Sequence, residues 1–231
     1  MTLTGRLADG TAFTTTLTPD VDPDPGYRLF VQPYKKRTES YLGGAFTLLP
    51  HPTQTNRRYV EEAGLIWSKT GLDADASYRA GFGPVTTVMT LDPWLPPVAA
   101  KGSTPAITLA TRLGLTESAF GVQHSDTGST LNSNLPTQVA LSLKNEVSVQ
   151  LPEANTTKWK TKVVPATGLF SGSFELADTG AKPRVVTFSG VLRQPAEEAD
   201  ALIGEGHYLL PVLPDAASNE RLSGEVMFTR P

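Results

Sequence analysis

The chain has no cysteine. Structural disulfides, thiol catalysis, cysteine-type zinc sites and iron–sulfur clusters are thereby excluded. It also lacks a basic stretch of any length. Lys and Arg number 20 against 23 Asp and Glu, for a net charge of -3, and only Lys35-Lys36-Arg37 forms a run. A nucleic-acid partner, which needs a concentrated positive surface, is not expected. No apolar run approaches the ~20 residues that span a bilayer as a helix. Residues Met1 to Gly10 contain no apolar stretch of the signal-peptide kind. Either a cytosolic protein or a domain within a longer secreted one fits that start. Charged residues are only 19%, too few for a disordered chain, while 39% hydrophobic residues supply a core. Helical periodicity is scarce.

What the chain has instead is punctuation. Gly (20) and Pro (19) break it into short runs rich in Thr and aliphatic residues. The expected class is all-β, with many loops. Leu3, Gly5 and Leu7 alternate up to Asp9-Gly10, and Phe13, Thr15 and Leu17 continue beyond it. Asp-Gly between two alternating runs marks a β-hairpin, because both residues tolerate positive φ. Further strands are expected at Tyr27 to Tyr34, Tyr41 to Leu49, within Arg58 to Ser68, and at Tyr78 to Met89. Residues 92–104 are rich in Pro and small residues and read as a crossover. Strands are expected again at Ile107 to Leu115, Ser118 to Gln123, Val139 to Leu151 with a break near Lys144 to Glu146, and Thr157 to Val164. Four more runs occupy Thr167 to Arg230. Only Pro195 to Ile203 has a helical look, with Pro first and acids in the first turn, so one short helix is expected near 196–203.

The strongest signal is an internal duplication. Tyr41 to Leu48 matches Leu169 to Leu176: a bulky pair, then Gly, a small residue, Phe, a polar residue and Leu. Gly64 follows Gly44 by 20 residues, and Gly190 follows Gly172 by 18. Gly81 follows Gly64 by 17, and Gly206 follows Gly190 by 16. A repeated glycine inside strands marks a bulge, a bend or a close backbone approach. The expected architecture is one all-β domain over 1–231. It is a pseudo-symmetric antiparallel β-barrel-like or two-sheet domain built from a duplicated meander, with pseudo-repeats at about 1–91 and 105–231.

Taken together, the Asp9-Gly10 hairpin, Tyr34, Gly44-x-Phe46, Gly64 to Trp67, and the C-terminal series resemble a known type of module. That series comprises Gly168 to Phe174, Phe188 to Leu192, Gly204 to Pro211 and Ser223 to Phe228. The module is β-rich and recurs near the C-termini of very large surface proteins of environmental bacteria. The resemblance is diffuse between about Asp92 and Lys158. It implies an extracellular or cell-surface setting as part of a longer secreted protein, and implies little chemistry. A cytoplasmic setting also fits the composition. The chain departs from the pattern in its Pro/Asp-rich loop, Pro19 to Gly26, and at His207.

Several residues invite a chemical reading. Asp20, Asp22 and Asp24 place carboxylates at alternate positions, a spacing that can bring hard oxygen ligands to one Ca2+. Pro23 and Pro25 restrict that loop, Val31 stands where a calcium loop closes with Glu, and a solvated acidic loop is the plainer reading. No other cofactor is expected. Trp94, Trp159, Tyr27, Tyr34 and Tyr78 would form a sugar-binding platform if they shared one exposed face. For Trp94 the plainer alternative is a plug over the end of a core. His51, His124 and His207 show no metal spacing. His207 takes the place equivalent to Phe82 and is a candidate ligand contact. Glu61-Glu62 and Glu197-Glu198 are sequence neighbours whose side chains diverge, so they read as surface charge.

The expected function is that of a non-enzymatic module in adhesion, anchoring or assembly, with other protein modules or surface glycans as partners. One alternative is a carbohydrate-binding module using exposed aromatics. Another is a hydrolase whose Ser, His and carboxylate are assembled in space.

Overall fold

The computed structural model describes residues 2–19, 26–102, 106–115, 119–124, 138–142, 144–149, 153, 155–176, 183–194, 201–211 and 221–230. Their structure is all-β with several antiparallel sheets. The chain divides into two compact units, Met1–Pro93 with Pro211–Leu222, and Trp94–Leu210 with Ser223–Pro231. The division at 93/94 falls inside the Pro-rich stretch. Each unit has its own buried apolar cluster.

In the first unit, β1 (Thr2–Arg6) and β2 (Ala12–Thr16) form the expected hairpin. Gly10 takes a φ of 86°, and Oδ1 of Asp9 accepts from the Thr11 amide at 2.9 Å. The Asp side chain thus replaces a backbone acceptor in the turn. A second sheet runs through β3 (Thr18–Pro19), β4 (Gly26–Val31), β5 (Tyr41–Thr47), β6 (Leu49–Pro50) and β7 (Arg58–Thr70). Strand β8 (Gly81–Leu91) pairs with the other side of β7. The two short runs expected within Arg58 to Ser68 are one 13-residue strand. Register shifts between Val60 and Ala63 and between Trp67 and Lys69 interrupt its ladder. A bulge of this kind lets a long strand bend around a core. Leu17, Leu29, Leu42, Leu65 and Trp67 are buried in that core.

The second unit is built on one eight-stranded sheet. Its strands are β9 (Ala119–His124), β10 (Gln138–Leu141), β11 (Val147–Val149), β12 (Lys160–Val164), β13 (Leu169–Leu176), β14 (Arg184–Leu192), β15 (Leu202–Pro211) and β16 (Arg221–Thr229). They lie in the order β11-β10-β9-β16-β15-β14-β13-β12. The sheet curls until Cα atoms of its two edges, β11 and β12, come within 8 Å. Among the described residues no ladder joins those edges, so the barrel-like expectation gives way to an open, strongly coiled sheet. Phe170, Phe174, Phe188, Tyr208, Val226 and Phe228 line its inner face, each under 4% exposed. At that burial, removing one such ring costs about 3–5 kcal/mol.

Glycine makes the curl possible. Gly190 and Gly206 face each other across β14 and β15, and the ring of Phe170 lies over both. A Cβ at Gly206 would meet Phe170 Cζ at 2.8 Å. The ring covers backbone that would otherwise lack a packing partner, and the missing Cβ lets the strands coil tightly.

The helical expectations need correction. Leu202 and Ile203 belong to β15, and 195–200 lie outside the described residues. Among the described residues the helix is α1 (Leu109–Arg112), inside a stretch expected as strand. Thr108 caps it by accepting from the Thr111 amide, and Leu109 and Leu113 are buried one turn apart. Gly114 at φ 65° ends it, with Leu115 N–H returning to Ala110 O. Cap chemistry at both ends outweighs the strand-like composition between them.

Each unit contains a four-stranded antiparallel meander, β4-β5-β7-β8 and β12-β13-β14-β15, an arrangement common to all-β folds and no measure of duplication. The two expected glycine series do not share a register. Gly44 pairs with Leu65 and Gly64 with Val88, whereas Gly172 pairs with Phe188 and Gly190 with Gly206.

Candidate functional site

A polar cluster lies inside the first unit, where the β1–β2 turn meets the end of β7 and the segment before β8. The Tyr34 hydroxyl donates to Oδ2 of Asp9 at 2.6 Å. Lys69 Nζ donates to the same oxygen at 3.0 Å and to the Ser77 carbonyl at 2.6 Å. Asp75 Oδ2 is 3.3 Å from that Nζ. Arg37 grips both Asp75 oxygens at 2.6 and 2.7 Å. The side chains of Lys69 and Asp9 are 3% and 1% exposed. Rings of Tyr34 and Tyr78 flank Nζ at 5.2 and 5.8 Å, a distance at which their faces attract a cation. Tyr78 sits at a φ of 52°. Such strain in a non-glycine residue persists only where neighbouring contacts hold it, and here Ser77 O is held by Lys69.

Burial alone pushes the Asp9 carboxyl up. Hydrogen bonds from Tyr34, the Thr11 amide and Lys69 outweigh it, so the group titrates below its ordinary range. Burial first, and then the bond to Asp9, push the Tyr34 phenol far above its ordinary value. Arg37 holds Asp75 low; burial opposes this and Lys69 adds to it. A depression of about 320 Å³ opens beside Lys69, lined by Glu39, Thr70, Ala80 and the start of β8 among others.

Sequence reasoning read Asp9 only as a turn residue and did not single out Lys69, Asp75 or Arg37. The available signal was Lys69 itself, a cation directly after the apolar run that ends in Trp67 and Ser68.

The proposed platform residues fall in different places. Tyr34 is buried with its hydroxyl engaged, and Trp159 is buried and stacked on Phe188 at 5.8 Å. Neither offers a face to a sugar, because each covers a core with that face. Tyr27 is half-buried and stacked on Phe46. Tyr78 is half-buried, edge-on to Trp67 and Phe82. Trp94 is half-buried and packs on the second unit's core. Its Nε1 donates to Pro165 O at 3.0 Å, and its ring covers Gly168, which has a φ of 72°. That is the plug rather than the platform. Asp20, Asp22 and Asp24 lie outside the described residues. His51 is buried and its Nδ1 accepts from the Thr53 and Gln54 amides at 3.2 and 3.1 Å, which ties down its own loop.

His207 is half-buried on the outer face of β15, opposite Ser189. The register continues through Ser171 to Lys162. The next outward row, Val164, Leu169 and Val191, is 43, 50 and 47% exposed. On such a face the backbone amides are spent in ladders and none is left to stabilise an oxyanion. The row offers hydroxyl, cation and imidazole contacts.

A stacked aromatic pair with one exposed member does exist, and the sequence reading did not pick it out. Phe30 on β4 is 62% exposed. Its ring stacks with Tyr41 at 6.0 Å and 25°. Both pack over Gly43, the register partner of Phe30 on β5. The period of two places Phe30 on the solvent side because Leu29 faces the core.

No helix among the described residues is long and apolar enough to cross a membrane. Searches against protein-family models, curated proteins and solved structures return no match to this chain.

Proposed function

We propose that the chain is a non-enzymatic β module of a cell-surface or secreted protein, acting in adhesion or anchoring by holding a glycan on the first unit's outer face. The observation that carries this reading is the exposed ring of Phe30, stacked on the half-buried ring of Tyr41 over Gly43. Flat apolar rings pack against the apolar face of a pyranose, and the phenol can bond to hydroxyls at its rim. A 62% exposed Phe contributes little to folding, so its placement favours a surface role. The surface or secreted setting rests on the sequence resemblance alone. The test is electrophoresis through native gels containing neutral or uronic-acid polysaccharides. Retardation of the wild-type chain, lost in Phe30→Ala without change in melting temperature, supports the reading. Free migration in every gel, or equal retardation of the variant, removes it.

The aliphatic row Val164, Leu169 and Val191 favours a second reading, assembly with another protein module through the second unit. Aligned exposed apolar residues on a sheet face are a common sign of an interaction surface. Concentration-dependent sedimentation of wild type, abolished by Leu169→Lys, would favour assembly over glycan binding.

A further inference from the structure

The Asp9–Lys69 contact has the chemistry of a cross-link about to form. The nitrogen and the carboxylate are already at 3.0 Å, both side chains are almost fully buried, and the two residues are 60 apart in sequence. A second carboxylate, Asp75, touches the same nitrogen at 3.3 Å. A donor stands at each oxygen of Asp9: the Thr11 amide at Oδ1 and the Tyr34 hydroxyl at Oδ2. We propose that Lys69 Nζ and Asp9 Cγ condense to an intramolecular isopeptide bond that ties the β1–β2 turn to β7.

The step balances without any co-reactant. Lys69 passes one ammonium proton to Asp9 Oδ2 along their hydrogen bond, leaving a neutral amine and a neutral carboxylic acid. Burial works toward that neutral pair, because a dry site penalises the two charges; the hydrogen bonds at Asp9 favour its ionised form, so the neutral pair is a minor species that the reaction draws off. The nitrogen lone pair attacks Cγ, and the carbonyl π pair moves onto Oδ1, where the Thr11 amide stabilises it as an oxyanion donor does. Asp75 accepts the second proton from nitrogen and returns it to the departing Oδ2 hydroxyl. Tyr34 holds that oxygen in place. The Cγ–Oδ2 bond breaks and one water leaves. One C–N bond has formed, one C–O bond has broken, two opposite charges have gone, and Asp75 is regenerated. Proximity supplies much of the drive, since an amine held against a carboxyl reacts as if at very high concentration.

The rival is a permanent ion pair, and intact mass separates the two. Purified full-length chain, incubated at neutral pH and then denatured, is expected to weigh one water less than its sequence. Digestion is expected to release a branched peptide joining the Asp9 and Lys69 segments. Lys69→Arg is expected to keep the full sequence mass. A wild-type mass equal to the sequence overturns the proposal. So does a water loss that persists in Lys69→Arg, because the Gly10 amide closing on Asp9 to a succinimide would then account for it.

Discussion

The hydroxyl of Tyr34 and the carboxylate of Asp9, 25 residues apart, meet at 2.6 Å inside the first unit. Neither can be swapped for an apolar residue alone. Asp9 without Tyr34 keeps a buried charge with one donor fewer, and Tyr34 without Asp9 keeps a buried hydroxyl without its acceptor.

Tyr34→Phe removes a bond to a charged group and leaves the ring's packing in place. The expected loss is about 2 kcal/mol of unfolding free energy, read by urea denaturation. A change below about 0.5 kcal/mol, the scatter of ordinary surface substitutions, would mean that the contact does not hold in solution.

The cluster also sets the acid limit of the fold. Asp9 and Asp75 both titrate lower in the folded chain than in the unfolded one. Their stabilisation is complete above the ordinary carboxylate value of about 4 and is lost as pH falls through the folded-state values. Melting temperature is therefore expected to be level near neutrality and to drop on the acid side. Tyr34→Phe is expected to move that drop to higher pH, because one of the bonds lowering Asp9 is gone. Once a Lys69–Asp9 amide has formed, Asp9 no longer titrates and only the Asp75 share, held by Arg37, remains.

Glycine substitutions test how the second unit's sheet coils. Gly206→Ala places a methyl against the Ser189 carbonyl oxygen and the ring of Phe170 and is expected to cost about 1–3 kcal/mol. Gly83→Ala in β8 meets nothing within 4 Å and is expected to stay within about 0.5 kcal/mol of wild type. Equal effects at the two positions would contradict the close approach of strand backbone and ring at Gly206.

Trp94 and Phe30 are expected to separate stability from binding. Trp94→Ala uncovers Gly168, frees Pro165 O and opens the edge of the core, so thermal melts should show a loss of about 3 kcal/mol or more. Phe30→Ala should leave the melt unchanged and abolish gel retardation by polysaccharide. A Trp94 variant that melts like wild type yet loses polysaccharide binding would reassign the ligand contact to Trp94.

Local chemistry was legible wherever neighbours in sequence decide the outcome. The Asp9-Gly10 hairpin, the turn near Asn145, which sits at φ 63°, and the strands of Thr167 to Arg230 follow from alternation and turn residues. Helix α1 was not legible, because four residues are too few to show a period and its caps, Thr108 and Gly114, resemble loop residues. Aromatic exposure was misjudged for a related reason. Tyr34 and Trp159 carry no sequence mark that separates a ring covering a core from a ring facing solvent. Phe30 carries no such mark either, and alternation alone does not say which face of its strand meets solvent.

By itself the sequence determined the class of this protein: all-β, glycine-punctuated, without cysteine chemistry and with meanders in both halves. Those properties depend on composition and on residues a few positions apart. Only the tertiary structure decided the pairing register, which removed the residue-by-residue match between the two glycine series. It alone put Lys69 on Asp9 across 60 residues and left Phe30 facing outward. The reason is physical: a lysine has the same charge and reach wherever it stands. Whether it becomes a solvated surface cation or a buried partner of a distant carboxylate depends on which strands close around it.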